Sequence, residues 1–430
     1  MNLTNPRMIT SVKLGEVCRF KGGSGFREAL QGSKSGQYPF IKVSDMELLC
    51  NRKYIVDANN WIDKKTLVRE SITIFPVHSV VFAKVGAALL LNRRRILTRE
   101  TAIDNNMMGA IPEKIEPDFL FYVLLNIDFS NFVQSGAVPS INQAQISNIE
   151  TILPCSAEQT QIATILSTID RAIEQTEALI AKQQRIKTGL MQDLLTKGID
   201  ENGNIRSEET HEFKDSPLGR IPVEWEVESC SAICKEIVVG IVIRPAQYYK
   251  PSGVPVLRSA NVRENIIDTS DMVYMSERDN IALNKSRLSV GDLVTVRTGY
   301  PGNTAVITPE LDGSNCVDIV ISRPDSRRVR SNYLALWINS NFGKKQILEG
   351  QGGLAQQHFN VGEVRKLLVK VPSINEQIRI EDLLLLQGRE VFKLQSQLQK
   401  LKLQKTGLMQ DLLTGKVRVT DLLNQKTAAN

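Results

Sequence analysis

Ten consecutive residues, KTGLMQDLLT, occur twice in this chain of 430, at Lys187–Thr196 and again at Lys405–Thr414. The same offset of 218 residues, applied without a gap, superposes Asn142 on Asn360, Pro154 on Pro372, and Glu158-Gln159 on Glu376-Gln377. It also places Ile162 on Ile380, Leu166 on Leu384, Arg171 on Arg389 and Lys182 on Lys400. A repeat of this kind restricts the fold before any other consideration, because each copy must form the same unit and the two must be accommodated together. The chain is a tandem duplication.

Each copy follows one plan: a variable block, a proline, then a long mixed polar and apolar segment ending in the shared string. A polar, acidic stretch from Asp200 to Asp215 reads as a linker before Ser216-Pro217-Leu218-Gly219. The boundaries fall at 1–155, 156–212, 213–372 and 373–430. In the first shared segment the apolar positions step by three and four through Ile162, Ile165, Ile169, Ala172, Thr176, Leu179, Gln183, Ile186 and Leu190. The second steps through Ile380, Leu383, Gln387, Val391, Leu394, Leu398, Leu401, Lys405, Leu408 and Leu412. Such spacing over about four heptads predicts two long helices, each starting after a proline (Pro154, Pro372) and ending at a glycine (Gly198, Gly415). Two arrangements satisfy the pattern: an antiparallel coiled coil about a pseudo-twofold axis, or two independent helices lying on their own blocks. Duplication favours the pair, although Gln and Thr at seam positions interrupt a dry interface.

The variable blocks read as α+β. Short β-branched runs at Tyr38–Val43, Ile72–Val81, Val254–Leu257, Leu293–Arg297 and Val317–Ile321 alternate with Gly, Asn and Asp turns. A short apolar helix follows near the end of each block, Phe119–Ile127 and Tyr333–Ile338. The fold class is therefore α+β, with two β-rich domains separated by two long helices. Between blocks, Tyr38–Asp45 corresponds in pattern to Val254–Asn261, and Val80–Gly86 to Asp292–Gly299; in both, a basic residue closes a strand before a turn. Phe20–Gly25 is glycine-rich without a Rossmann helix behind it and reads as a flexible turn.

With 42% apolar and 23% charged residues, the composition is that of a globular protein. No apolar run approaches the roughly 18 residues that span a bilayer. The first thirty residues lack the charged start and apolar core of a signal peptide. A cytoplasmic protein is expected. Of the six cysteines only Cys230 and Cys234 are close, and no second Cys or His pair completes a zinc site. The net charge of +6 permits a nucleic-acid partner without demanding one.

Catalytic signatures are missing. There is no Gly-x4-Gly-Lys-Ser/Thr phosphate loop, and no Pro-Pro pair from which the Asp/Asn-Pro-Pro-aromatic motif of amino-methyltransferases could be built. Glu212-x-Lys214 has no Pro-Asp partner on a nearby strand, and no Ser has a credible His.

Taken together, several motifs resemble the specificity subunit of type I restriction–modification systems. They are PLGRIP…W at Pro217–Trp225, LRSANV at Leu257–Val262, Pro-x3-Glu-Gln ahead of each helix, and the terminal GLMQDLLTGKVRV. The resemblance covers essentially the whole chain, although the first block lacks the PLGxIPxxW opening. It implies that the two blocks are target recognition domains, each reading one half of an asymmetric bipartite double-stranded DNA site. The helices would be spacers and docking surfaces for two methyltransferase subunits, joined by restriction/translocase subunits. The chain would be non-catalytic and hold no cofactor, with S-adenosylmethionine, ATP and Mg on partner subunits, and with no membrane involved. Two other readings fit the residues: a free-standing bivalent DNA-binding regulator, and a coiled-coil scaffold.

Arginine reads guanine bidentately, asparagine reads adenine, and other Lys or Arg hold phosphates. The candidate DNA contacts are strand-end and turn residues: Lys42, Ser44 and Lys84 in the first block, and Arg258, Asn261, Arg263, Arg297, Tyr300 and Asn303 in the second. The runs Arg93-Arg94-Arg95 and Arg323…Arg327-Arg328-Arg330 read as phosphate grips. Leu190, Met191, Leu194, Leu195, Leu408, Met409, Leu412 and Leu413 are apolar on more than one helical face. They are the candidate partner-docking residues, though burial on a neighbouring block would leave the same pattern. A 39-residue helix is a rod of about 58 Å, long enough to straddle one DNA turn of about 34–36 Å.

Overall fold

The computed structural model describes residues 10–133, 138–350 and 359–423. The chain packs as two compact units, one made of Met1–Ala178 with Ser396–Asn430 and the other of Leu179–Gln395. Each unit holds one β-rich head and half of each long helix.

In the first head, strand β1 (Cys18–Gly22) and strand β3 (Val80–Ala83) flank β5 (Met107–Pro112), both antiparallel to it. A second sheet is built on the parallel pairing of β2 (Tyr38–Ile41) with β4 (Thr101–Ile103). Helix α1 (Pro117–Asn126) starts on a proline, and the Glu116 carboxylate caps it by accepting from the Phe119 amide at 2.6 Å. Its buried face, from Phe119 to Leu124, fills the core between the sheet and helix α2 (Ser156–Leu194).

The second head repeats this topology with different letters. Strands β6 (Cys234–Val239) and β8 (Leu293–Val296) flank β10 (Ile319–Pro324), and β7 (Val254–Leu257) pairs in parallel with β9 (Asn315–Cys316). Helix α3 (Ser331–Asn339) precedes the second long helix, α4 (Ile374–Leu413). The expected run Ile72–Val81 is instead two strands, Ile74–Phe75 and β3, parted by His78 in the left-handed region. Likewise Asp318, at φ 52°, separates β9 from β10.

Helices α2 and α4 have 39 and 40 residues and run antiparallel. In the first unit Asp170 meets Lys405 at 2.6 Å and Glu177 meets Lys402 at 3.0 Å. In the second, the Gln387 amide donates to Gln183 at 2.8 Å, so two of the polar seam residues satisfy one another. The threonines along α2 are tolerated because their hydroxyls donate to carbonyls four residues back, as at Thr164 and Thr176.

Two expectations are corrected, and a third feature agrees with its reading. Phe20–Gly22 is strand, not flexible turn, and Gly23 packs so tightly that a Cβ there would sit 2.1 Å from the Asp104 carbonyl. The stretch from Asp200 to Asp215 is folded into the second unit: Ile199 bridges Ile205, Phe213–Lys214 pairs with Ile221–Pro222, and Arg206 is buried. Cys230 and Cys234 are buried free thiols at the two ends of one helical turn, their acidity suppressed chiefly by burial.

The duplicated Glu-Gln pair explains why this motif is shared. The Gln159 amide donates to the Pro154 carbonyl and its oxygen accepts from the Glu116 amide, tying the start of α1 to the start of α2. Gln377 does the same between Pro372 and the Arg330 amide ahead of α3. The adjoining glutamates each accept an arginine from the segment that follows the other long helix: Glu158 from Arg418 and Glu376 from Arg206. Trp225 of the PLGRIP…W motif donates its indole N–H to Glu376 at 3.1 Å.

Candidate nucleic-acid interface

In each head one strand of the parallel pair and one flanking strand of the antiparallel sheet end close together, and a basic residue follows each. Lys42 follows β2 and Lys84 follows β3; Arg258 follows β7 and Arg297 follows β8. The turn between β4 and β5 lies between the two lysines: the Asp104 amide donates to the Ile41 carbonyl, and the Lys84 amide to the Asn106 carbonyl. In the second head the Val317 amide donates to Leu257, and Asp318 receives Arg297 at 2.5 Å. Gly86 and Gly299, each two residues beyond the basic side chain, both adopt positive φ (78° and 87°), so the chain reverses at the same place in both heads. Equivalent basic residues at equivalent strand ends were thus legible as a pattern.

Their immediate partners were not. Lys42 donates to Gln31 at 3.0 Å, and Ser44 is exposed beside it. Lys84 is half-buried. Arg258 grips Asp271 at 2.8 Å through one terminal nitrogen, and Arg263 meets Asp268 at 2.9 Å. The buried Nε atoms of Arg258 and Arg297 have no hydrogen-bond partner among the described residues. Tyr300 projects from the β8–Gly299 turn and is 79% exposed, while Asn303 helps close that turn through its main chain. Asp268, Asp271 and Asp318, which hold these arginines in place, carried no sequence signal. They are separated from their partners by loops whose geometry pattern alone does not fix.

Several candidates are corrected by burial. Arg94 is 1% exposed, stacked 3.8 Å from the Phe129 ring centroid. It donates to the carbonyls of Arg93 and Leu124 and to the Asn92 side chain, and burial lowers its pKa to about 9. Such a group props the core and does not reach a phosphate. Arg93 pairs with Glu47, and Arg95 donates to main-chain oxygens of Met46 and Asn51. The second run is likewise engaged: Arg323 with Glu236 and Asp292, Arg327 with Asp325, Arg328 with Glu228, and Arg330 with Glu381. Asn261 is 2% exposed; its oxygen accepts from the Arg258 amide and its nitrogen donates to Asp268 and Asp271 carbonyls. It caps a turn, as Asp45 does after Lys42.

Five of the eight docking candidates are buried in the heads, and the other three are partly buried. Leu194 and Leu195 are wholly buried in the second head's core, with Leu190 and Met191 packed against it. Met409, Leu412 and Leu413 are buried in the first head's core, with Leu408 against it. The identical string is a plug: each helix starts under one head and ends by inserting its shared residues into the other.

Among the described residues no cluster of three or more His, Cys, Asp or Glu is placed to hold a metal ion, and no helix is long and apolar enough to cross a membrane. Two heads of one topology, each carried on part of a common helix pair, define a two-headed protein built by duplication. Residues 6–183 match the family described as Type I restriction modification DNA specificity domain. The chain is 24% identical to the MjaVIII type I restriction enzyme specificity subunit of Methanocaldococcus jannaschii, over 96% of this chain and 93% of that one. It is 27% identical to the putative MjaX specificity subunit of the same organism, over 71% of this chain and 69% of that one. The crystal structure of a type I restriction-modification system S subunit from M. genitalium superposes with a TM-score of 0.57. That match has 14% identity and covers 96% of this chain and 98% of the other, a likeness of fold. Over nearly its whole length the chain is similar to type I restriction enzyme specificity subunits.

Proposed function

We propose that this chain reads an asymmetric, two-part double-stranded DNA site, the first head contacting one half and the second head the other, and that it delivers that choice to methyltransferase and restriction subunits bound to it. The observation that carries the reading is the repetition of basic strand ends, Lys42 and Lys84 in one head and Arg258 and Arg297 in the other, on a shared topology with unlike neighbours. A side chain held at a strand end by a carboxylate is pre-oriented, and an arginine so held presents its remaining N–H groups to a base edge or phosphate. Arg263, Ser44, Tyr300 and Asn303 complete the proposed surface; Asn261 supports it from below by accepting from the Arg258 amide. The chemistry is carried by the partners, two methyltransferase subunits and the restriction/translocase subunits, along with S-adenosylmethionine, ATP and Mg. The whole complex works in the cytoplasm, where the DNA is. Since Leu194, Leu195, Met409, Leu412 and Leu413 of the shared string are buried, docking falls on the outward sides of the helices, where Leu385 and Leu386 are 54% and 59% exposed in the second unit.

The test is a genome-wide map of methylated adenines in cells with and without this gene. Loss of one gapped, two-part motif on deletion is the expected result. An unchanged map, with the partner subunits expressed, overturns the reading and favours a free-standing DNA-binding regulator.

A further inference from the structure

A head fastened to a rod at one end can pivot; a second fastening farther along fixes its angle. The first head has both. Gln159 ties it to the fourth residue of α2. Farther along, the loop between Met46 and Tyr54 turns two adjacent basic residues onto the helices. Lys53, only 13% exposed, donates to the Ser167 hydroxyl at 2.8 Å and lies 4.7 Å over the Tyr122 ring. It also pairs with Asp118 at 2.5 Å. Tyr122, on α1, donates to Asp170 of α2 at 2.7 Å, and Asp170 in turn receives Lys405 of α4 at 2.6 Å. Arg52 reaches Glu177 at 3.0 Å, and Glu177 also holds Lys402 of α4 at 3.0 Å. One loop thus grips α2 at two points ten residues, or about 15 Å, apart, and both grips extend to α4. In the second head the polar contacts to its own helix include Gln377 and Glu381, both within the first two turns of α4.

We propose that the Arg52–Lys53 loop is a positioning strut: it fixes the angle at which the first head stands on the helix pair, and with it the number of base pairs tolerated between the two half-sites. The second clause rests on the two-part DNA reading; the first does not. Rigid attachment makes a wrong spacer costly, because the duplex or the protein must deform to bring both halves into register.

The experiment has two readouts on the full chain. Spin labels at Lys65→Cys in the first head and Gln175→Cys on α2, in a background with Cys50→Ser and Cys155→Ser, report the head-to-helix distance by electron double resonance without DNA. The strut variant is Arg52→Gln/Lys53→Met, which keeps the aliphatic stems, and Arg52→Lys/Lys53→Arg is the conservative rescue. The distance distribution is expected to broaden in the first and narrow again in the second; an unchanged distribution overturns the strut. The second readout is binding by the assembled complex to duplexes carrying the mapped motif with its native spacer or one base pair more or less. The parent is expected to lose at least ~10-fold on the altered spacers and the strut variant less than ~3-fold, with native-spacer binding within a few-fold of the parent. Parallel loss on all spacers, or an unchanged spacer profile, overturns the role in spacing. If no gapped motif exists, the DNA reading fails, and the distance measurement alone still decides the strut.

Discussion

At the scale of the residue, the buried pair Arg206–Glu376 shows how much depends on single contacts. Glu376 is 4% exposed and accepts from Arg206, from the Trp225 indole and from the Ile199 amide at 2.8 Å. Removing one partner of a buried pair strands the other charge, a loss of about 3–5 kcal/mol. Glu376→Gln is therefore expected to lower the denaturation midpoint of the second unit sharply. Glu158→Gln, whose partner Arg418 is 27% exposed, costs less; equal losses would refute the distinction. Lys370 makes a different point. It is 1% exposed, and burial lowers its pKa to about 8. Below that pH both folded and unfolded chains hold the proton, so the burial cost is constant. Between about 8 and the ordinary lysine value near 10.4 only the unfolded chain holds it, so stability rises with pH across that window. Lys370→Met should stabilise the protein by up to about 3 kcal/mol at pH 7, and the gain should shrink steadily as pH climbs to 10. At the proposed DNA surface, Arg297→Ala is expected to cost about 1–3 kcal/mol and relax one position of one half-site, whereas Arg263→Ala, if it holds phosphate, should weaken all sequences alike and reduce the salt slope by about 1. Competition binding at several salt concentrations separates the two.

At the scale of the element, the long helices and the parallel plan of the blocks were legible in the sequence because repetition, heptad spacing and Pro/Gly punctuation are local signals. The strand ends were legible too: Lys42 with Arg258, and Lys84 with Arg297, are paired by pattern and occupy equivalent places. What was illegible is whether a charged or apolar side chain faces outward. Arg94 and Leu412 belong to runs whose composition suits solvent and a partner surface, and both are core because of residues far away: Phe129 and Leu124 for the first, the first head for the second. The linker misread has the same cause, since only the fold brings Arg206 to Glu376 across 170 positions. The helices also carry a prediction. Each has one end rooted in each unit's core, so lengthening α2 alone by four residues, about 6 Å, should strain those plugs and lower thermal stability. Adding four residues to both helices at facing positions should restore it, and shift the preferred DNA gap by about two base pairs at ~3.4 Å each. A methylation map of the doubly lengthened protein reads that shift directly.

For the molecule as a whole, the exchange of helix ends between units has a consequence in time. The second unit, Leu179–Gln395, is a single continuous stretch, but the first is completed by Ser396–Asn430. On the ribosome the head that is made first must therefore wait, with the floor of its core open, until Leu408, Met409, Leu412, Leu413 and Val419 emerge after the whole second unit. The head that is made second can close before synthesis ends. Birth order and folding order are inverted, and a ribosome that stops short of the last helix turn leaves behind a finished second half and an unfinished first.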